Sequence, residues 1–223
     1  MNNENFKLGI ALPLTDEKIH SRFFDSWNLM SKPPYIYLRP INPGPIDSVR
    51  NELVKQALES ECTHIIMMDT DQVYDPETIE KLLGFVLSDE KYKVCGGKVH
   101  RRYPPFDHLC FRGIPGKYTL VNDKEIESGK VIEVDATGCG CILYDIEVFK
   151  KIEQPWFEFG KTDENKDIGE DVNFCQKMKE NGYKIYVDTS LDIKHMTTVE
   201  VDYNLYLLYR HINKLKLKYD KED

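Results

Sequence analysis

The chain has 223 residues, 41% hydrophobic and 30% charged, which is enough for one substantial soluble α/β domain with its own core. A formal net charge of -8 at pH 7 excludes a nucleic-acid binder acting through bulk electrostatics, and suits a cation better than a bare phosphate. No signal peptide and no apolar run of membrane-spanning length occurs, and the six cysteines include no CxxC pair and no zinc-spaced cluster, so reduced thiols in a cytoplasmic protein are expected.

In chain order, residues 6–14 read as a first strand ended by Pro13, and Thr15 or Asp16 caps a helix expected over 17–30. Pro33 and Pro34 break that helix, 35–38 form a second strand, and 39–45 is a loop rich in proline. A helix begins near Asp47, with Val49, Leu53, Ala57 and Leu58 on one stripe. The run Ile65-Ile66-Met67-Met68 reads as a buried parallel strand, and it leads straight into Asp69-Thr70-Asp71. Asp75-Pro76 opens a helix through Leu87, and 93–99 form a fourth strand.

Residues 100–118 carry three prolines, two glycines and three arginines without periodicity, which predicts a long loop. Residues 118–121 and 131–134 predict a hairpin around Asn122-Asp123-Lys124. Residues 136–144 predict one strand, with Cys139 and Cys141 on one face and glycines that permit close backbone approach. A short helix at 146–152 and a charged, mobile stretch at 158–171 follow. A helix over 171–181 closes on Gly182 in the left-handed position, then 183–187 form a strand and 193–195 a last extended piece. The tail from 203 to 219 is helical in pattern, with Leu205, Leu208, Ile212 and Leu215 on one side.

Ligands of an open α/β sheet sit outside the carboxyl ends of its strands, where Asp69 and Asp71 emerge. At an extended period of two both carboxylates face the same way, and a divalent cation relieves their repulsion. The plain alternative is an acidic turn that caps the next helix. An EF-hand loop is excluded, because Val73 and Tyr74 stand where it needs an oxygen ligand and a glycine.

Ser48-Val49-Arg50-Asn51, Met68-Asp69-Thr70-Asp71, Thr137-Gly138-Cys139-Gly140, Gly169-Glu170-Asp171 and then His195 come in an order that resembles a GT-A glycosyltransferase, nearest to family 2. The resemblance runs over nearly the whole chain. It implies a Rossmann-like mixed, mainly parallel sheet flanked by helices, with a catalytic domain over 1–202 and a tail helix over 203–223. Within that domain, about 1–100 would hold the nucleotide-sugar and about 101–202 the acceptor.

The resemblance also implies roles. Asp71, with Asp69 beside it and His195 as third ligand, holds Mn²⁺ or Mg²⁺ against the diphosphate of a nucleotide-sugar, and an imidazole favours Mn²⁺. Asp69 and Arg50 contact the donor, and Pro13 and Thr15 end the strand where the nucleobase sits. There Leu14-Thr15-Asp16 replaces the usual polar motif with asparagine, so the base stays open, with Asp16 as a partner for it. If the enzyme inverts, Asp171 is the expected base for the acceptor hydroxyl, with Glu170 as acceptor contact or substitute; if it retains, neither is a base. Trp156 and Phe157 are candidates for an acceptor-sugar platform, with core packing as the alternative. The tail helix, carrying Arg210, Lys214, Lys216 and Lys218, packs on its own domain by default; the alternatives are an anionic membrane surface or a second subunit. The rival functions are a non-catalytic nucleotide-sugar or carbohydrate-binding module and a sugar-phosphate nucleotidyltransferase. ALPLTDEK lacks the glycine-rich loop the latter needs.

Overall fold

The computed structural model describes residues 6–15, 17–162 and 164–219, with only the backbone described from 213 onward. In chain order the elements are β1 (Leu8–Ala11), α1 (Ser21–Leu29), β2 (Tyr35–Leu38), α2 (Ile46–Glu59), β3 (His64–Met68), β4 (Gln72–Val73), α3 (Thr78–Val86), β5 (Val94–Val99), β6 (Cys110–Arg112) and β7 (Thr119–Leu120). There follow α4 (Asp123–Ile126), β8 (Val131–Val134), β9 (Ala136–Thr137), β10 (Cys141–Asp145), α5 (Glu147–Lys151), β11 (Gly160–Lys161), β12 (Asp167–Ile168), α6 (Glu170–Glu180), β13 (Ile185–His195) and α7 (Tyr203–Tyr219).

The central sheet runs β2-β1-β3-β10-β5-β13-β4, with β8 also on β13. Strands β1, β2, β3, β5 and β13 share one direction, and β10, β8 and β4 run against it. Alternation along the buried strands divides the core. Ile65 and Met67 of β3 face the layer of α2, α5 and α6, while Ile66 and Met68 face the layer of α1 and α3. Both faces are covered, which is why β3 is apolar at every position rather than at alternate ones.

This direction places the site. The carboxyl ends of β1, β3, β5 and β13 deliver Pro13–Thr15, Asp69–Asp71, His100–Arg102 and His195 to one edge. The antiparallel β10 brings its amino end there too, with Cys141 opposite Met68.

Several expectations need correction. Helix α1 begins at Ser21, four residues after Glu17, and α3 begins at Thr78 beyond the Asp75-Pro76 pair. The expected hairpin does not form: β7 pairs with β6, β8 pairs with β13, and Asn122 caps α4 by accepting from the Glu125 amide. The strand expected over 136–144 is two, β9 and β10, split at Gly138–Gly140. That turn sends Cys139 and Cys141 to opposite layers of the core. The pieces 183–187 and 193–195 are one strand, β13, with an irregularity between Asp188 and Asp192. The charged stretch 158–171 contains a two-stranded hairpin, β11 with β12. Helix α6 does end as expected, with Gly182 at φ 82°. All six cysteines are buried free thiols.

The described side chains of tail helix α7, 203–212, are largely exposed, where its default reading expects a face packed on the domain. Tyr206, Leu208 and Tyr209 are each more than half exposed, while the side chains of Lys214, Lys216 and Lys218 lie outside the described residues. Among the described residues no helix is long and apolar enough to cross a membrane.

Candidate active site

Two arginine–carboxylate groups meet at this edge. The first is buried. Arg50, in the second turn of α2, is 4% exposed and reaches the sheet through a full set of partners. Its Nη2 donates to Asp69 at 3.2 and 3.3 Å, its Nε to Glu170 at 3.2 Å, and its Nη1 to the Cys139 carbonyl at 3.3 Å. Burial works against the charge, yet Asp69, Cys139 and Glu170 hold the guanidinium pKa above its ordinary value. Arg50 therefore ties α2, the end of β3 and the start of α6 into one frame, and it lies beneath the mouth rather than in it.

Asp69, expected to share a metal ion, is correspondingly turned to Arg50. Its backbone is fixed as well: its N–H donates to the Gly140 carbonyl at 2.9 Å, and its own carbonyl accepts from Tyr74 Oη at 2.6 Å. Gly140 leaves the room taken by the buried Gln72 amide, which an added Cβ would meet at 2.0 Å and have to displace.

The second group is open. Asp71 Oδ2 lies 3.0 Å from His195 Nε2 and 3.1 Å from Arg102 Nη2. His195 Nδ1 donates to the His100 carbonyl at 2.8 Å, which fixes the ring and aims Nε2 at Asp71. The strand pairing of β4 with the end of β13, and the Met196 N–H donated to the Asp71 carbonyl at 2.8 Å, hold the two residues side by side. Burial opposes the charged form of each. Even so, His195 and Arg102 keep the Asp71 carboxyl below its usual range, and the Asp71 hydrogen bond raises the His195 pKa.

With Nδ1 committed to a carbonyl, only a proton or a metal ion on Nε2 reconciles that nitrogen with a carboxylate 3.0 Å away. One oxygen and one nitrogen donor, with the ring oriented from behind, suit Mn²⁺. Among the described residues no group of three or more His, Cys, Asp and Glu side chains could hold a metal on its own.

Asp171 opens α6 beside the buried frame. Its Oδ1 accepts from the Val172 N–H at 2.7 Å, and an added Cβ on Gly138 would lie 3.6 Å from its Oδ2. Burial first, then the neighbouring Glu170 charge, push its pKa up to about 6, against the pull of Arg50. A carboxyl held there is suited to take a proton near neutral pH. Next to it, a cleft of about 550 Å³ is lined by Arg101, Tyr118, Thr162, Gly169 and Val172, among others.

Trp156 and Phe157 are not an acceptor platform. They are 2% and 0% exposed and belong to the aromatic cluster with Phe149 and Phe174. Trp156 Nε1 donates to the Phe149 and Ile152 carbonyls, and Asn51 Oδ1 accepts from both backbone amides. The indole N–H and both backbone amides are hydrogen-bonded inside the core, so core packing wins. The aromatic that lines the cleft with Gly169 and Val172 is Tyr118, for which the sequence suggested no role. Pro13 is buried and Thr15 exposed at the end of β1; Asp16 lies outside the described residues. Arg102 was also missed, since nothing in an aperiodic loop with three arginines distinguishes it from Arg101.

No protein-family profile matches the chain, and no curated protein matches it in sequence. Its shape does have relatives. The crystal structure of A197 from STIV is 20% identical over 88% of this chain and 86% of that one, with a TM-score of 0.57. GalNAc-T7, crystallised with UDP, GalNAc and Mn²⁺, is 10% identical over 87% of this chain, with a TM-score of 0.59. The chain spans only 44% of GalNAc-T7. S. aureus TarS 1-349 in complex with UDP-GlcNAc reaches only 0.49, at 17% identity over 88% of this chain and 60% of that one, and carries no weight. At such identities the likeness defines the fold alone: the chain has the mixed α/β architecture, mainly parallel and flanked by helices, of the GT-A glycosyltransferases.

Proposed function

We propose that the chain is a metal-dependent glycosyltransferase, close in kind to family 2, which moves a sugar from a nucleotide-diphosphate donor to a hydroxyl acceptor. The observation that carries this reading is the pairing of Asp71 with His195 at the mouth of β3, on the same edge as Asp171 with its raised pKa. Asp71 and His195 would hold Mn²⁺, or less aptly Mg²⁺, whose charge neutralises the departing diphosphate.

The remaining work falls to this chain's own groups. Arg50 keeps Asp69 and Glu170 fixed, so the edge is preorganised before ligands arrive. Asp171 takes the acceptor proton as the hydroxyl oxygen bonds to the anomeric carbon. The anomeric C–O bond breaks in the same inverting step, and its electron pair leaves with the diphosphate. The acceptor enters through the cleft past Tyr118 and Thr162. In this reading about 1–100 serve the donor and about 101–202 the acceptor, with Pro13 and Thr15 beside the base. The exposed apolar side of α7 is a surface for a membrane or a second copy, and six buried thiols fit a cytoplasmic setting. Incubating nucleotide-sugars with the protein and Mn²⁺, without acceptor, tests it. Slow metal-dependent release of the nucleoside diphosphate is expected, and metal-dependent binding without any hydrolysis or transfer would make the chain a binding module instead.

A further inference from the structure

Arg102 stands where the proposed chemistry needs a cation to be. It sits in a loop closed by the His100–His108 bridge and by the Arg101 N–H donated to the Asp107 carbonyl at 2.7 Å. The base of that loop is the residue whose carbonyl orients His195. The Arg102 guanidinium reaches the same Asp71 oxygen, Oδ2, that faces His195. A cavity of about 360 Å³ opens here, lined by His20, Asp71, Arg102, Tyr103, Thr197 and Thr198 among others. It combines one carboxylate with an arginine, an imidazole and three hydroxyls, a donor-rich set that matches a polyanion bridged by a cation.

We infer that Arg102 is a place-holder that occupies Asp71 in the empty site and transfers to the diphosphate of the donor when metal and donor enter. The inference rests on the glycosyltransferase reading above. A dication held by Asp71 would be repelled by a guanidinium 3.1 Å from the Asp71 Oδ2, so Arg102 would have to leave that oxygen on loading. The diphosphate brings the negative charge that receives it, and the exchange leaves no charge without a partner. Asp71 and Arg102 are 35% and 48% exposed at their side chains, so their pair is weak enough to be exchanged. When the anomeric C–O bond breaks, the electron pair stays on the β-phosphate oxygen, and the Arg102 N–H groups donate to the diphosphate as that charge develops.

The experiment uses the full chain. Mn²⁺ alone is titrated into wild type and Arg102→Ala, with electron paramagnetic resonance reading the free ion; UDP, GDP and inorganic pyrophosphate are then titrated in excess Mn²⁺ by calorimetry. Arg102→Ala is expected to bind Mn²⁺ alone about two- to fivefold more tightly, the effect of removing one half-exposed ion pair. It is expected to bind the diphosphates at least about tenfold more weakly, from lost charge-assisted hydrogen bonds, with Arg102→Lys in between. A merely structural role would weaken both. Unchanged or weaker Mn²⁺ binding, or unchanged diphosphate binding, in Arg102→Ala overturns the assignment while leaving the enzyme reading intact. A wild-type protein that binds neither Mn²⁺ nor any of the three anions removes both.

Discussion

Arg50 and Arg102 pair with aspartates two residues apart, and the two pairs differ in almost every physical respect. Arg50 is 5% exposed at its side chain and holds Asp69, Glu170 and a carbonyl at once; Arg102 is 48% exposed and, among the described carboxylates, reaches Asp71 alone. The first arrangement cannot lose a member without leaving a charge in the core, so it serves as frame. The second costs little to break, so under the proposed function it is where ligands would exchange. A single Asp-x-Asp motif thus divides into a structural carboxylate and a working one, and the sequence motif does not say which is which.

Breaking the frame should give the largest effect. Arg50→Leu strands Asp69 and Glu170 and is expected to cost about 3–5 kcal/mol in chemical denaturation, with Arg50→Lys recovering only part because it lacks the fork. Next is Asp171→Asn, expected to lower turnover at least about 100-fold, with a wild-type rate that rises with pH to a midpoint near about 6. The same substitution should stabilise the fold. Burial raises the Asp171 pKa from 3.8 to about 6, so the folded state holds a proton that the unfolded chain releases. The stability this contributes is full below the unfolded value and is lost as pH rises through about 6, a loss that asparagine escapes. An Asp171→Asn variant less stable than wild type at neutral pH would contradict this.

Smaller effects belong to the open pair. His195→Ala should weaken Mn²⁺ binding about 10- to 100-fold, read by paramagnetic resonance. Asp71→Asn should change folding stability by less than about 1 kcal/mol, because its ion pair is half exposed. If Asp71→Asn proved as damaging to the fold as Arg50→Leu, the contrast between frame and working pair would collapse.

The first half of the fold was legible because its signals are local. Proline punctuation, the stripe of α2 and the unbroken apolar run of β3 each specify an element without reference to distant chain. Between 100 and 137 the strands are only two to four residues long and their partners are set by the sheet they meet, so β7 and β8 each found a partner other than the other. The meeting of Asp71 with His195 was foreshadowed by their places in the ordered set of motifs. The inward turn of Arg50 was not, because its partner Glu170 is 120 residues away. Nor could the sequence separate a sugar platform from a core pair at Trp156 and Phe157, since the deciding contacts are Asn51 and the carbonyls of Phe149 and Ile152.

Thermal denaturation of wild type and Asp71→Asn, each with a panel of nucleotide-sugars in the presence and absence of Mn²⁺, puts the metal-bridged donor site at stake. Wild type should be stabilised by at least one nucleotide-sugar only when Mn²⁺ is present, by about 2.7 kcal/mol at a hundredfold excess over Kd, and Asp71→Asn should lose that gain. An equal shift without metal, or an undiminished shift in Asp71→Asn, would contradict it.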